Sequence, residues 1–354
     1  VADMQAFTYT GLPTRVIFGI GTLDKLTAEV ERLGVSRALV LSTPRQREMV
    51  EDAARRLGAL AAGIFSEAAM HTPVDVTERA MREVERCGAD GIVAIGGGST
   101  TGLGKAIALR TNLPQLVVPT TYAGSEMTPI LGETEHGRKT TLRNPKVLPE
   151  TVIYDVSLTL ELPVKLSAVS GMNAIAHAVE ALYAQDRNPV VDLMADEGLA
   201  ALARALPGIV AKPDDLDARS DALYGAWLCG ICLGSVGMAL HHKLCHTLGG
   251  MFDLPHAETH AVILPHAMRY NTNAAPAAAA KVARALGAGD AARGLQDLAR
   301  RVGAPVSLRE IGMTAEGIEP AVAQAMSNPY WNPEPLVETR IRELLERAFH
   351  GSDA

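Results

Sequence analysis

GIVAIGGGSTTGLGKAIAL, residues 91–109, sets a short apolar run against three glycines and then a helical pattern. Gly91–Ile95 reads as a buried strand, Gly96-Gly97-Gly98-Ser99 as its exit, and Leu103–Leu109 as the helix that follows. Glycines at such a junction let the backbone approach a phosphate, whose charge is met by amide N–H groups and the helix dipole. The spacing is neither G-x-G-x-x-G nor a Walker loop, and a purely steric tight turn would use the same glycines.

The pattern extends outward from this stretch. Arg15–Phe18, Arg37–Ser42 and Gln115–Pro119 are further β-branched or aliphatic runs, and Asp24–Leu33, Gln46–Leu57 and Val74–Cys87 carry apolar residues at helical spacing. Alternation of this kind implies crossover units and a parallel sheet, and strands this apolar imply helices on both faces. After Asp155 the texture changes. Val164–Gln185, Val190–Ala211, Ser220–Leu248 and Ala274–Val302 are rich in Ala and Leu, with breaks expected at Pro189, Pro207 and Pro213. The expected division is a nucleotide-binding α/β domain over residues 1–160 and an all-helical catalytic domain over 161–354. Aromatic residues are only 4%, so the helices should approach through Ala and Gly.

Composition narrows the function. The chain has 354 residues, 47% apolar and 21% charged, which is ordinary for a globular chain. Forty acidic against 33 basic residues leave a net charge of −7, contrary to a nucleic-acid footprint. Four cysteines do not make a disulfide scaffold and suit a reducing cytoplasm, where we expect the protein. Cys229-x-x-Cys232 sits in an apolar run and reads as a pair of buried helix cysteines. No stretch approaches the ~18 apolar residues of a membrane span, and Val1–Thr10 has no signal-peptide pattern.

Three groups carry chemistry. Pro119-Thr120-Thr121-Tyr122-Ala123-Gly124-Ser125-Glu126 follows the next strand, where ligands of open parallel sheets bind; a turn capped by Ser125 is the alternative. Ser42-Thr43-Pro44-Arg45 lacks the acid that would take an NAD ribose, so Thr43 joins the nucleotide contacts and Arg45 is placed to meet a 2′-phosphate. The third group is histidine. Six of ten lie within 26 residues: His241, His242, His246, His256, His260 and His266. His242 and His246 are one helical turn apart, His256 follows a turn at Asp253–Pro255, and upstream Asn173 and His177 share a helix face. Imidazoles at this spacing suit either metal ligation or acid–base work.

Taken in order, G-G-G-S, P-T-T, G-M-N-A-I-A-H-A-V-E and H-x3-H-T-L-G-G-x5-P-H resemble the iron-containing alcohol dehydrogenase family over essentially the whole chain. The resemblance implies a Rossmann-like α/β domain, an all-α domain, an active site in the cleft between them, and commonly a dimer. It implies that Gly97, Gly98 and Ser99 hold the pyrophosphate of NADH or NADPH, that Thr120 and Thr121 contact the nucleotide, and that Lys139 lies near the nicotinamide ribose. The family's metal ligands, an Asp and three His, fall here on Asn173, His177, His242 and His256, with His246 a further active-site residue.

The departures matter most. Asn173 removes the one anionic ligand, and an amide oxygen is a weaker donor, so we expect an enzyme that requires no metal. Gly102 stands where the family often has an acid, and P-H-G becomes Pro255-His256-Ala257. With Tyr122–Glu126 and Asn328–Pro333, these point to the branch that reduces the double bond of dicarboxylate ring-cleavage products. His177 and His242 are expected to stabilise an enolate oxygen as protonated or donating imidazoles, and His246 to deliver a proton. Lys243, Arg269, Arg143 and Lys139 are the candidate partners of a dianionic substrate. A metal-dependent alcohol or polyol dehydrogenase and a non-catalytic nucleotide-binding sensor are the alternatives.

Overall fold

Aliphatic runs bury both faces of a six-stranded parallel sheet in the α/β unit. Its strands are β1 (Arg15–Gly19), β2 (Ala38–Leu41), β3 (Ala61–Phe65), β4 (Gly91–Gly96), β5 (Gln115–Pro119) and β8 (Thr151–Asp155), in the spatial order β1-β8-β5-β4-β2-β3. A separate antiparallel pair, β6 (Ile130–Glu135) and β7 (Arg138–Arg143), lies between β5 and β8 in sequence. The connecting helices are α1 (Leu26–Arg32), α2 (Arg47–Leu57), α3 (Val74–Cys87) and α4 (Gly98–Thr111). We describe residues 6–136, 138–327 and 330–354 from a computed structural model.

Sequence dictates these elements locally. On α3, Val76, Ala80, Val84 and Cys87 turn inward, and Gly88 closes the helix in the left-handed conformation at φ 59°. The four inner strands β2, β4, β5 and β8 are buried throughout, as the doubly covered sheet requires. The strand order reverses between β2 and β4, which makes their carboxyl ends the switch point where ligands of such sheets bind.

The helical unit comprises α5 (Val164–Ala181), α6 (Pro189–Ala211), α7 (Leu216–Ser235), α8 (Leu240–Phe252), α9 (His256–Asn271), α10 (Pro276–Ala285), α11 (Ala291–Arg301), α12 (Ile318–Ser327) and α13 (Glu338–His350). Asn188, Asp215 and Asp290 cap α6, α7 and α11 through their side-chain oxygens. α5 is buried from Ser167 to Ala181. Helices do approach through small residues: a Cβ on Gly225 would lie 2.9 Å from the Gly198 carbonyl oxygen, and one on Gly171 would lie 2.5 Å from Leu206 Cδ2.

The compact units are Leu12–Leu162 and Pro163–Ala354, and the described residues up to Gly11 group with the helical unit. The boundary therefore falls two residues beyond the expected one, and the first residues belong elsewhere. Other expectations are also corrected. Pro207 lies inside α6, where buried Leu206 and Ile209 hold the helix together across it against a cost of about 3 kcal/mol. Ser220–Leu248 is two helices, α7 and α8, bent by 92° at their junction. Ala274–Val302 is likewise split into α10 and α11, with Gly287 at φ 62° between them. No single helix among the described residues is long and apolar enough to cross a membrane.

Candidate active site

At the switch point the glycines are sterically required. Gly96 has φ 155°, and a Cβ there would meet Thr100 Oγ1 at 2.4 Å and Gln46 Oε1 at 2.8 Å. A Cβ on Gly97 would lie 2.8 Å from Thr121 Cγ2. Helix α4 starts at Gly98, so its N-terminal turn, with Ser99 in it, follows the end of β4 directly. Thr120 and Thr121 follow β5 directly, and the Thr120 amide donates to the Gly96 carbonyl at 3.0 Å. Gln46, which the sequence reading passed over, ties this edge together. Its Nε2 donates to Thr120 Oγ1 at 2.8 Å, and Thr43 Oγ1 donates to its Oε1 at 3.2 Å. Thr43, Gly96 and Thr120 thus stand in one small network across three strand ends, with Gly97 next to it in the chain. Lys139 is a residue of β7 whose side chain lies outside the described structure.

Two further departures from the sequence reading are explained here. The position of Gly102 is filled by Thr72, whose Oγ1 would sit 2.3 Å from an added Cβ, so no acidic side chain fits without displacing it. Ser125 caps nothing; the short turn Ser125–Met127 is preceded by Gly124 at φ 77°. The turn is held instead by Lys105. That side chain is buried, and its Nζ donates to the carbonyls of Ser125, Thr128 and Ile130 at 2.6, 2.7 and 2.9 Å. Burial pushes Lys105 down to about 7, while Glu126 nearby acts the other way. Glu126 accepts from the Tyr154 hydroxyl at 2.8 Å, and burial raises its carboxyl.

In the helical unit, α5, α8 and α9 bring six imidazoles together. Ring centroids are 5.2 Å apart for His177–His242, 4.9 Å for His242–His260, 4.8 Å for His241–His260 and 4.3 Å for His256–His260. His246 lies 6.2 Å from His242 and 6.5 Å from His256. The group grades from interior to surface. His177, His241, His242 and His260 are buried, His256 is half-buried and His246 is exposed. His266 is buried farther along α9, outside these ring contacts.

Glu180 organises the cluster. It stands one turn after His177 on α5 and is completely buried. Its carboxylate accepts the backbone N–H groups of Ala239 at 2.9 Å and His241 at 2.8 Å, and lies 2.7 Å from His242 Nδ1. Helix α8 has no side-chain cap of its own, so Glu180 supplies from α5 the acceptor that its first turn lacks. Because Glu180 receives N–H donors on both oxygens, the His242 proton resides on Nδ1 and the Nε2 lone pair is left free.

Electrostatics follow burial. Desolvation lowers His177 and His260 well below the ordinary imidazole range, with neighbouring imidazoles adding to the effect. It pushes His241 down to about 4 and His242 to about 3. The buried members are therefore neutral at pH 7, and His242 offers an acceptor at Nε2. This corrects the expectation of protonated imidazoles and of His242 as a donor: too little solvent reaches these rings to support the charge.

The family implies a metal, and the residues fit one. Asn173 Oδ1, His177 Nδ1, His242 Nε2 and both nitrogens of His260 are buried with no hydrogen-bond partner, and one ring nitrogen from each of the three histidines lies within 4.8 Å of the other two. Imidazole nitrogen suits zinc, iron, nickel or copper. His256 is not in that triad. Sequence spacing could not separate it from His260, since both lie on one face of α9 a turn apart.

The proposed carboxylate partners fare differently. Arg269 is already held by Asp290 through two bonds of 2.9 and 2.8 Å, which corrects its assignment to substrate. Lys243 Nζ lies 5.2 Å from the Tyr330 ring centroid, and Arg143 is exposed at the end of β7. Cys229 and Cys232 are buried thiols on α7, the second pushed up to about 12 by desolvation and Asp192. Asn328 and Pro329 lie outside the described residues.

A glycine-rich turn at the switch point of the α/β unit and an imidazole cluster in the helical unit are found here in the chain of an oxidoreductase. Residues 13–156 match the family model for iron-containing alcohol dehydrogenase, and residues 167–349 that for the C-terminal part of the Fe-containing alcohol dehydrogenase family. The chain belongs to the iron-containing alcohol dehydrogenase family. It is 60% identical over 349 residues to maleylacetate reductase of Rhizobium sp. (strain MTP-10005), covering 99% of each chain. A crystal structure of maleylacetate reductase from Agrobacterium tumefaciens superposes with a TM-score of 0.96 at 59% identity, covering 99% of this chain and 100% of that one. A structure from Ralstonia eutropha JMP134 described as a putative alcohol dehydrogenase gives 0.98 at 56%, covering 99% of both.

Proposed function

We propose that this chain reduces the carbon–carbon double bond of maleylacetate to 3-oxoadipate with NADH or NADPH, as a cytoplasmic homodimer with no required metal. One observation carries the reading beyond the full-length similarity: where the imidazoles converge, the side chain beside His177 is the neutral Asn173, and the nearest carboxylate, Glu180, is engaged by α8 and His242. Such a group is built for hydrogen bonding to an anionic substrate. Four buried free thiols suit a reducing compartment.

The chemistry asks for three things. A hydride leaves the dihydronicotinamide, which becomes NAD(P)⁺, and adds to the alkene carbon β to the ketone. The π electrons move onto the ketone oxygen as an enolate, and a proton then reaches the α carbon. The glycine cradle and Thr120 and Thr121 hold the nucleotide. His177 carries the donor to the enolate oxygen, because its neutral ring keeps one N–H and Nδ1 has no other partner. His246 delivers the proton and recovers it from solvent, since it alone of the six rings is exposed. A cation at the cluster would act as a Lewis acid on the same carbonyl.

The test is NADH oxidation with maleylacetate beside NAD⁺ reduction with primary alcohols, each before and after EDTA. Maleylacetate turnover unchanged by EDTA, with no alcohol oxidation, is the expected result. EDTA-sensitive alcohol oxidation would establish the metal-dependent dehydrogenase instead, and absence of all turnover the nucleotide sensor.

A further inference from the structure

We propose that Thr72, held with His71 in left-handed backbone between β3 and α3, is a positioning residue for the nucleotide. Its side chain fills the place that Gly102 leaves open on α4, and so fixes the glycine-rich turn at which that helix begins. The proposal deepens the reductase reading above and rests on it for the nucleotide.

Backbone strain is the first observation. His71 has φ 65° and Thr72 φ 47°, two adjacent residues with side chains in a region that favours glycine. Threonine is β-branched, and Thr72 stands before Pro73, where the chain ordinarily takes extended backbone. A segment chosen for stability alone would carry glycine or asparagine at these positions. Strain of this kind collects at functional sites and persists only where the surroundings over-determine it.

The surroundings do so here. The Thr72 amide donates to the Ala69 carbonyl at 3.3 Å, and the Thr72 carbonyl accepts from the Thr134 amide of β6 at 3.2 Å. Pro73 pairs with Thr134 in an isolated parallel bridge and takes the N-cap position of α3. Upstream, the Ala68 amide donates to the Ser42 carbonyl at 3.0 Å, and Arg79 of α3 holds Glu67 at 3.0 Å. The segment is thus tied to the end of β2, to α3 and to β6. None of these ties uses the threonine side chain.

What uses the side chain is α4. Thr72 is buried, and a Cβ added to Gly102 would lie 2.3 Å from its Oγ1 and 3.6 Å from its Cβ. Gly102 follows Gly98 by one helical turn, so the two share a face. With glycine at both positions that face carries no side chain of its own. What presses on it then sets where the start of α4 stands, and Thr72 is the side chain that does so.

The experiment measures NADH binding to the purified chain without substrate, from nicotinamide fluorescence, beside the KM for NADH, kcat with maleylacetate and the melting temperature. Thr72→Gly relieves the backbone and empties the place beside Gly102. It should raise the NADH dissociation constant and KM by more than about tenfold and leave kcat at saturating NADH within about twofold, while the melting temperature does not fall. Thr72→Ser, which keeps the hydroxyl, should stay within about threefold of the parent. Gly102→Ala, whose Cβ collides with Thr72 Oγ1, should also weaken NADH by more than about tenfold, and adding Thr72→Gly to it should cost nothing further. Equal NADH affinity in the parent and in Thr72→Gly overturns the proposal and leaves the reductase reading standing. Lost affinity that comes with a lowered melting temperature, or additive losses in the double variant, overturns it too, since Thr72 would then be a packing residue only. A parent chain that binds no NADH overturns the reading of the nucleotide site, and the proposal with it.

Discussion

Glu180 shows how one buried side chain can serve structure and chemistry together. The acid sits in an otherwise apolar stretch of α5 and accepts from the start of α8, a helix whose own sequence, Leu240-His241-His242, offers no cap. A charged group is stable at such depth only when every lone pair is used. The signal was in the sequence: Glu180, three residues after His177, is the one carboxylate in α5 and stands in the run Ala174–Ala181, which is otherwise Ala, Ile, Val and His177, so it has to find donors. Removing it strands the Ala239 and His241 amides and His242 Nδ1 in a dry interior. We therefore expect Glu180→Ala to lose about 3 kcal/mol or more in urea unfolding, and Glu180→Gln, which keeps one acceptor oxygen, to lose less. Equal losses in the two variants would mean that the amides are satisfied in another way.

At the scale of elements, the helical unit is held by close crossings that bring the histidine-bearing helices within reach of one another. Low aromatic content foretold this, and α6 and α7 show its form. Gly198 and Gly225 face each other so closely that a Cβ on Gly225 would meet Leu202 Cγ at 2.8 Å and the Gly198 oxygen at 2.9 Å. Neither the backbone oxygen nor the packed leucine can yield without separating the helices. Gly225→Val should cost about 1–3 kcal/mol, read by the fluorescence of Trp227 two residues along. Gly250→Ala, whose Cβ would meet nothing within 4 Å on α8, should be neutral or stabilising by up to about 1 kcal/mol. Periodicity could not show where α7 ends and α8 begins, because both halves are apolar. The break is set by Val236–Ala239 and by Glu180, a tertiary partner 59 residues away from Ala239.

For the whole molecule, the parallel sheet, the helical second half, the glycine cradle and most of the imidazole cluster were legible in the sequence, because each rests on local pattern. Ala61–Phe65 and Thr151–Asp155 escaped notice as strands, the first for want of β-branched residues. Gln46, Lys105, Glu180 and His260 escaped notice as site or support residues because only the fold decides what they face. Histidine remains the residue type that sets the behaviour of the helical unit. His266 makes the point in isolation: buried on α9, it is pushed down to about 4 by desolvation, with Arg347 of α13 adding to the effect. Its folded pKa lies below its unfolded value near 6.5, so between those limits the unfolded chain binds a proton that the folded chain does not. Stability is then greatest above pH 6.5 and falls as pH drops toward 4, by about 1.4 kcal/mol per pH unit for each such group. Both tryptophans, Trp227 and Trp331, lie in the helical unit, so their fluorescence follows its unfolding alone. Urea midpoints measured from pH 7.5 to 4.5 should decline, and His266→Asn should flatten that decline by the share of one proton. A slope unchanged by the substitution would mean that His266 is protonated in the folded chain and that Arg347 lies too far away to oppose it.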